Sequence, residues 1–462
     1  MNAPHDDTPP PGDDAADAAD APFDRGRLVG DLDAALAFFS PVSVQGRVNH
    51  AVGQILNATG IRAKLGEICE LRTPNQPTLL AEVVGFSRQT TLLTPLGDVA
   101  GLSPETTVVP SGREHVFPVG EALFGRVLDG LGRPLDDRGP VTGATWVSTQ
   151  QDPPNPLARR MIDTPFPTGV RVIDGLMTLG VGQRVGIFAP SGVGKSTLLG
   201  MIARGAQADV NVIALVGERG REVREFIEHA LSPEVRARSI VVVSTSDRPA
   251  MERVKSALVA TAIAEHFRDA GKRVLLLVDS LTRFARAQRE VGLASGEPPT
   301  RRSFPPSTFA VLPRLLERAG QGAAGSITAL YTVLVEGDEE SDPIAEEVRS
   351  ILDGHIVLSR KIALANRYPA IDVLASLSRV MPLVASRAHQ QAAARVRELI
   401  AKYQEIELLV QIGEYREGSD RLGDLALRAR EAIGAFCAQA QHEDVRFEAL
   451  LAKLTKLAND HV

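Results

Sequence analysis

The stretch RVGIFAPSGVGKSTLLGMIARG, residues 184–205, decides the fold of this chain. It opens with an apolar run typical of a buried strand, passes through a glycine-rich turn and ends with the apolar spacing of a helix. The turn fits the pattern GxxxxGK[ST], except that Ala189 stands where the first glycine is expected. Because Ala189 is predicted to end the strand and not to face the ligand, the turn is still predicted to bind phosphate groups.

Each polar or glycine position of this loop has a chemical reason. Gly192 and Gly194 allow backbone N–H groups to approach phosphates without an intervening Cβ. Lys195 can reach the β- and γ-phosphates, and the Ser196 hydroxyl is a suitable ligand for Mg²⁺. The residues predicted to bind nucleotide are Ser191, Gly192, Val193, Gly194, Lys195, Ser196 and Thr197.

Acidic residues close two further apolar runs. Asp279 ends RVLLLVD, and an acid in that position after a phosphate loop is expected to hold Mg²⁺ through a bound water molecule. Glu218 ends VNVIALVGE and could activate the water that attacks a terminal phosphate. Spacing alone leaves Glu222 and Glu225 as alternatives for that role.

Phosphoryl transfer also needs a cation that stabilises the charge developing on the γ-phosphate oxygens. The spacing does not decide which arginine near the predicted strand ends serves this purpose. The candidates are Arg219, Arg221, Arg283, Arg286 and Arg379.

Changes in the pattern of apolar and polar residues divide the chain into several parts, and together they predict a multi-domain α/β protein. Short apolar runs in its first quarter predict a small β-barrel or sandwich, and a central alternation of strands and helices predicts a parallel sheet covered on both faces. A Gly/Pro-rich connector over 113–165 is expected to be irregular. The predicted parts are a disordered acidic leader (1–22), a candidate docking helix (23–41), the barrel or sandwich (42–112), a phosphate-loop domain (113–382) and a helical domain (383–462).

The composition of the chain disfavours several classes of function and location. The chain has 462 residues, a net charge of −6 and only 4% aromatic residues, which disfavours nucleic acid as a partner. Its two cysteines are far apart and indicate a reducing compartment. No apolar run is long enough to span a bilayer, and the acidic leader lacks the basic start of a secretory signal. A cytoplasmic location is therefore expected.

Several stretches together resemble the catalytic subunits of F/V-type rotary ATPases. Within that superfamily, residues 296–320 and 336–363 are most similar to the type III protein-export ATPases of flagella and injectisomes. The resemblance runs from about residue 42 to the end. The stretches that carry it include TGVRVIDGLMTLGVGQRVGIFAPSGVGKST (168–197), GERGREVREFIE (217–228), DSLTRFARAQREVG (279–292), PPSTFAVLPRLLERAG (305–320) and PAIDVLASLSRVMP (369–382).

The resemblance implies a role for particular residues. Glu218 falls on the glutamate that activates water. Arg219 and Arg283 match arginines of the same subunit that contact the γ-phosphate region. Arg379 matches the arginine finger that a neighbouring subunit donates, and Tyr368 matches the aromatic residue that packs on adenine. Phe436 is a further candidate for the adenine pocket.

The same resemblance implies an oligomerisation β-barrel over 42–112, a RecA-like central domain, ATP and Mg²⁺ as substrate and cofactor, and a homohexamer whose sites form between subunits. It also implies the partners of an export motor at the inner membrane: a central coiled-coil stalk, a stator-type regulator at the N-terminus, chaperone–cargo complexes and a membrane export gate. The stretch 406–427 and the acidic N-terminus look more like the injectisome branch than the flagellar branch.

Three other classes share parts of this pattern. A hexameric RNA translocase would show aromatic residues and a basic cleft in its barrel, but 42–112 contains a single aromatic residue, Phe86. An ATP synthase subunit has a similar site, and only the export-type stretches argue against it. A non-catalytic ring subunit would lack one of the site residues, whereas Lys195, Ser196, Glu218 and Asp279 are all present.

Overall fold

The computed structural model describes residues 44–335 and 342–460. The predicted leader and docking helix lie outside these residues. The first described part is a closed barrel with strand order β1-β2-β5-β4-β3-β6, and its interior is filled by aliphatic side chains such as Leu56 and Leu93. Its strands are β1 (Gly46–Val52), β2 (Ile55–Thr59), β3 (Ile68–Arg72), β4 (Leu79–Phe86), β5 (Thr91–Pro95) and β6 (Thr107–Pro110).

The central domain is built on a large, mostly parallel sheet of order β17-β16-β10-β15-β13-β11-β12-β8, with β14 paired to β15. A small separate sheet pairs β7 with β9. The strands are β7 (Val116–Val119), β8 (Val127–Asp129), β9 (Thr145–Ser148), β10 (Arg184–Ala189), β11 (Val210–Glu218), β12 (Ser239–Thr245), β13 (Arg273–Asp279), β14 (Gly320–Gln321), β15 (Ser326–Leu334), β16 (Gly354–Leu358) and β17 (Ile371–Ser378).

Helices cover both faces of this sheet, which explains why its central strands are continuous apolar runs. Short 3₁₀ turns at Glu121–Leu123, Pro156–Ala158 and Arg301–Ser303 link these elements. The helices of this domain are α1 (Arg171–Leu176), α2 (Lys195–Gly205), α3 (Gly220–Glu225, continued by a π-helical turn), α4 (Pro233–Ala237), α5 (Ala250–Asp269), α6 (Leu281–Ala294), α7 (Pro306–Glu317), α8 (Pro343–Ile351), α9 (Arg360–Leu364) and α10 (Met381–Val384).

The last part of the chain is helical and packs on α1. Its helices are α11 (Arg387–Gln411), α12 (Arg421–Cys437) and α13 (Phe447–Asn459). His389 of α11 contacts the carbonyl oxygen of Gly175 at 2.8 Å, and Phe436 and Leu450 pack against the same glycine. Among the residues that the structure describes, no helix is long and apolar enough to cross a membrane.

The predicted fold class is confirmed, with one local difference. The connector over 113–165 was expected to be irregular, yet it supplies three short strands: β7 and β9, which pair with each other, and β8, which pairs in parallel with β12 at the edge of the large sheet. A strand of three residues is too short to show an apolar alternation in the sequence.

Candidate nucleotide site

The phosphate loop lies between β10 and α2, at the carboxyl edge of the parallel strands. Gly192 has φ 81° and Gly194 has φ 87°, both in the left-handed region that favours glycine. Ser196 and Thr197 are exposed at the first turn of α2, where free N–H groups and hydroxyls can meet an anion. The loop therefore has the conformation that its sequence predicts.

Lys195 connects the loop to both predicted acids. Its ammonium group forms a close ion pair with Asp279 and lies 3.7 Å from Oε1 of Glu218. All three side chains are largely buried, so their electrostatic interactions are strong. The structure thus brings together three residues that are far apart in the sequence.

Asp279 is also held by a residue that the sequence analysis missed. The hydroxyl of Thr332 donates a 2.8 Å hydrogen bond to Oδ1 of Asp279. Thr332 lies on β15, next to the strand that carries Asp279. A threonine inside the apolar run SITALYTVLV was the available signal, since a buried hydroxyl in a central strand needs a partner.

Glu218 is aimed into the site by an irregularity in its strand. The register between β11 and β12 shifts at Gly217, whose φ of 68° suits a bulge that redirects the next side chain. A Cβ at Gly217 would lie 3.1 Å from Cδ of Arg283, so the glycine also leaves room for that arginine. This local geometry separates Glu218 from the alternatives Glu222 and Glu225.

The carboxylate of Glu218 is buried, and both of its oxygens face Arg283. Arg283 donates to Oε2 at 3.2 Å, and its Nε lies 3.1 Å from Oε1 in an ion pair without hydrogen-bond geometry. Burial, and next the charge of Asp279, raise the pKa of Glu218 to about 7, against the opposing effect of Lys195 and Arg283. A buried carboxylate with a raised pKa can accept a proton near neutral pH.

The remaining arginines of this edge are placed differently. Arg219 is exposed and donates a 2.7 Å hydrogen bond to Glu222, and Arg221 pairs in the same way with Glu225. Arg286 is exposed on α6. Of the same-chain candidates, only Arg283 contacts the acids of the site in this structure.

Tyr368 lies over the phosphate loop. A Cβ at Gly194 would be 3.3 Å from Cε1 of the Tyr368 ring, and the ring remains partly exposed. Phe436, by contrast, is buried against α1, so its ring is part of the core. The structure supports Tyr368 as the aromatic wall beside the loop.

Arg379 lies at the opposite edge of the sheet from the phosphate loop. Strand β17 runs antiparallel to β16, with Ser378 paired to Gly354 where β16 begins. Since β16 is parallel to β10, Arg379 follows β17 at the edge where the parallel strands start. Its side chain is exposed and has no hydrogen bond or ion pair within the described part of the chain.

The donor set near the loop suits Mg²⁺ bound together with a nucleotide. A magnesium ion typically keeps several waters and takes one or two protein oxygens plus phosphate oxygens. The exposed hydroxyl of Ser196 and the carboxylate of Asp279 meet that need. Over 44–335 and 342–460 no cluster of three or more metal-ligating side chains is present, as expected for an ion held largely by its substrate.

Comparison with protein-family models assigns the three parts. The ATP synthase alpha/beta family β-barrel domain matches residues 48–112, and its nucleotide-binding domain matches 169–378. The C-terminal domain of the T3SS EscN ATPase matches 385–456. Fold and site together define a P-loop enzyme of the ATP synthase alpha/beta family.

Relatives that match over nearly their full length show which group of this family the chain belongs to. A type 3 secretion system ATPase of Xanthomonas euvesicatoria is 61% identical over 417 residues, covering 90% of this chain and 94% of the relative. The flagellum-specific ATP synthase of Bacillus subtilis is 49% identical over 417 residues, covering 90% and 95%. The chain therefore belongs to the family of type 3 secretion and flagellum-specific ATPases, and it is an ATP-hydrolysing enzyme of protein export.

Solved structures agree with this assignment. The assembled ATPase EscN of enteropathogenic E. coli superposes with a TM-score of 0.85 at 49% identity, covering 89% of this chain and all of EscN. The same ATPase in complex with its central stalk EscO gives a TM-score of 0.83 at 48% identity, covering 89% and 100%. The family predicted from the sequence is confirmed, and the RNA translocase and ATP synthase alternatives are set aside.

Proposed function

We propose that this chain is the ATPase motor of an injectisome, which releases chaperones from secretion cargo and unfolds the cargo for export. The observation that carries the injectisome branch is the match of 385–456 to the EscN C-terminal domain. The identity of 61% to an injectisome-type relative, against 49% to a flagellar one, supports the same branch.

In the proposed reaction, water attacks the γ-phosphorus of ATP and the bond to the β–γ bridging oxygen breaks, giving ADP and phosphate. Glu218 accepts the proton of the attacking water at Oε1, which accepts no hydrogen bond from the described residues. Lys195 and Arg283 stabilise the charge on the phosphate oxygens. Ser196, and Asp279 through water, would hold Mg²⁺, which when bound neutralises charge between the β- and γ-phosphates.

The position of Arg379 supports a site completed between subunits. An exposed cation without a partner, at the edge opposite its own phosphate loop, can serve catalysis only in a neighbouring copy. Exposed apolar side chains form a rim near it: Leu383, four residues further on, is 63% exposed, and Met161, 78% exposed, precedes Ile162, which lies with Val380 against Gly180. Such a rim suits a contact with a second copy of the chain, and a repeated contact between unlike surfaces closes into a ring.

In this proposal the ring is a homohexamer on the cytoplasmic side of the inner membrane. EscN has been solved with its central stalk EscO, which supports a stalk partner for this chain. A stator-type regulator, chaperone–cargo complexes and the membrane export gate complete the proposed partners. Arg219 would turn toward the γ-phosphate when nucleotide binds, leaving its exposed pairing with Glu222.

A gene deletion tests the injectisome proposal. Loss of this chain is expected to stop secretion through the injectisome while flagellar motility continues, and the wild-type gene should restore secretion. A chain carrying Lys195→Ala, expressed at the same level, should not restore it. Loss of motility with secretion intact would instead assign the chain to flagellar export.

The pKa of Glu218 predicts a pH profile. Because the carboxylate must be ionised to accept a proton, kcat/KM for ATP should fall about tenfold per pH unit below pH 7 and level off above it. Glu218→Gln should remove this limb and lower kcat by about 10²–10³-fold. The matched variant Glu225→Gln, at an exposed ion pair with Arg221, should keep both the limb and most of the rate.

Stability gives an independent check on the same group. A pKa raised in the folded state means that Glu218 contributes stability below its unfolded pKa and loses that contribution as the pH rises through about 7. The melting temperature of Glu218→Gln relative to wild type should therefore increase from pH 5 to pH 8. A difference that does not change with pH would contradict the raised pKa.

A further inference from the structure

Gln439 joins the helical domain to the nucleotide-binding domain through a saturated set of hydrogen bonds. It lies in the bend between α12 and α13 and is only 6% exposed. Its Oε1 accepts from the backbone N–H of Arg171 at 2.8 Å, and its Nε2 donates to the carbonyls of Gly169 at 2.8 Å and Glu443 at 3.2 Å. Its own N–H donates to the carbonyl oxygen of Tyr368 at 2.9 Å.

These partners fix the orientation of the side-chain amide. One neighbour is an N–H donor and two are carbonyl acceptors, so the oxygen must face Arg171 and the nitrogen must face Gly169 and Glu443. Only an amide of this length offers an acceptor and two donor hydrogens at these positions. The side chain therefore holds the backbone of residue 439 in one place.

Arg171 strengthens the same junction. Its guanidinium donates to the carbonyls of Ala435, Phe436 and Ala438, at 3.2, 3.3 and 2.8 Å, and so satisfies free groups at the end of α12. Its side chain also forms a close ion pair with Glu443. Helix α1, which begins at Arg171, precedes β10 and the phosphate loop, so the bend is fastened to the rigid part of the domain.

Tyr368 is held between this bend and the phosphate loop. Its carbonyl oxygen accepts from the backbone of Gln439, and its ring faces Gly194. The loop that carries Tyr368, between α9 and β17, is largely exposed up to that residue, whereas Pro369 and Ala370 after it are buried. The hydrogen bond from residue 439 is a second point that fixes the backbone at Tyr368, so the position of the ring depends in part on where residue 439 is placed.

We propose that Gln439 is a positioning residue that sets Tyr368 over the phosphate loop and thereby determines affinity for the adenine base. The inference rests on the proposed role of Tyr368 in adenine binding. Gln439 touches neither base nor phosphate; it acts through the backbone of the bend. Its loss should weaken binding of the base and spare binding of the phosphates.

The test compares a ligand that has the base with one that lacks it. Dissociation constants of the full chain for Mg·ATP and for Mg·tripolyphosphate are measured by calorimetry. Gln439→Met keeps the length of the side chain and removes its hydrogen bonds, and we expect about tenfold weaker ATP binding with tripolyphosphate binding unchanged. Gln441→Met, two residues away and only partly buried, is the matched control and should leave both constants unchanged.

Two further variants make the outcome decisive. Gln439→Glu places an anionic oxygen against the carbonyls of Gly169 and Glu443 and should give the same selective loss, provided that its circular dichroism remains native. In a Tyr368→Ala background, Gln439→Met should cause no additional loss of ATP affinity. Equal weakening of both ligands, or an undiminished loss without the ring, would overturn the proposal.

The comparison also separates this inference from the function on which it rests. If Tyr368→Ala selectively weakens ATP and the Gln439 variants do not, the positioning role fails and the adenine role of Tyr368 stands. If Tyr368→Ala leaves the ratio of the two constants unchanged, the adenine role fails and the positioning role fails with it. ATP turnover in either case reports on the catalytic assignment independently.

Discussion

Lys195→Ala is expected to reduce kcat for ATP by about 10³-fold or more, which in a standard assay is complete loss of turnover. The ammonium group is the cation that Asp279 and Glu218 share in the buried part of the site. Without Lys195, no cation of the phosphate loop would offset the repulsion between these two carboxylates and the phosphates of ATP. Binding of ATP should weaken for the same reason.

The measurement is steady-state phosphate release with Mg²⁺ at saturating ATP, together with thermal unfolding to show that the variant is folded. Lys272→Ala removes an exposed lysine from the turn before β13 and is the matched control. It should keep the wild-type rate. Turnover of the Lys195→Ala protein within about tenfold of wild type would contradict the assignment of the phosphate loop.

Arg379→Ala is expected to lower kcat by about 10³–10⁵-fold while leaving the dissociation constant for ATP within about threefold of wild type. The reason is the geometry of β17, which places Arg379 at the edge opposite its own loop. In the proposed ring it would act on the transition state in a neighbouring copy. Loss of ATP binding in the isolated chain would show that Arg379 is a structural residue.

Mixing two inactive variants tests directly whether one subunit completes the catalytic site of its neighbour. Rings assembled from equal amounts of Lys195→Ala and Arg379→Ala chains should contain intact interfaces at about a quarter of their sites, because each contact joins two different surfaces. Activity should reappear on mixing. If the mixture stays as inactive as its components, the site is complete within one chain and the ring mechanism is wrong.

Leu383, in the exposed apolar rim near Arg379, allows assembly of the ring to be tested separately from catalysis. If rings complete the sites, the ATPase rate per subunit should rise with protein concentration as rings form. Leu383→Ser should move this rise to higher protein concentration and leave the rate at saturating protein concentration near wild type. Leu408→Ser, at a similarly exposed leucine of α11, should not shift it. A rate per subunit that stays constant down to a demonstrably monomeric sample would argue against sites shared between chains.

The sequence predicts the parts of the site that are local. A strand, a glycine-rich turn and a helix are adjacent in the chain, so the conformation of residues 189–197 could be inferred from spacing alone. Asp279 could be inferred because an apolar strand ends there. Glu218 could be separated from Glu222 only by the bulge at Gly217, which depends on pairing with a neighbouring strand.

The contacts that the sequence analysis did not predict join segments that are far apart in the sequence. Thr332 meets Asp279 across 53 residues of sequence, and Gln439 meets Gly169 across 270. No periodicity or motif marks such a pair, because each partner is an ordinary residue in its own segment. Arg219 differs for another reason: its motif is local, but an exposed arginine pairs with the nearest carboxylate when no phosphate competes.

The reversed direction of β17 has a mechanical consequence. This strand of eight residues follows shortly after Tyr368, beside one phosphate loop, and ends next to Arg379, at the opposite edge of the sheet. It spans about 26 Å as a stiff rod. In the proposed ring, a displacement of the end beside one phosphate loop would move Arg379 at the other end, which lies in the next site. Neighbouring sites would then be coupled mechanically through this strand.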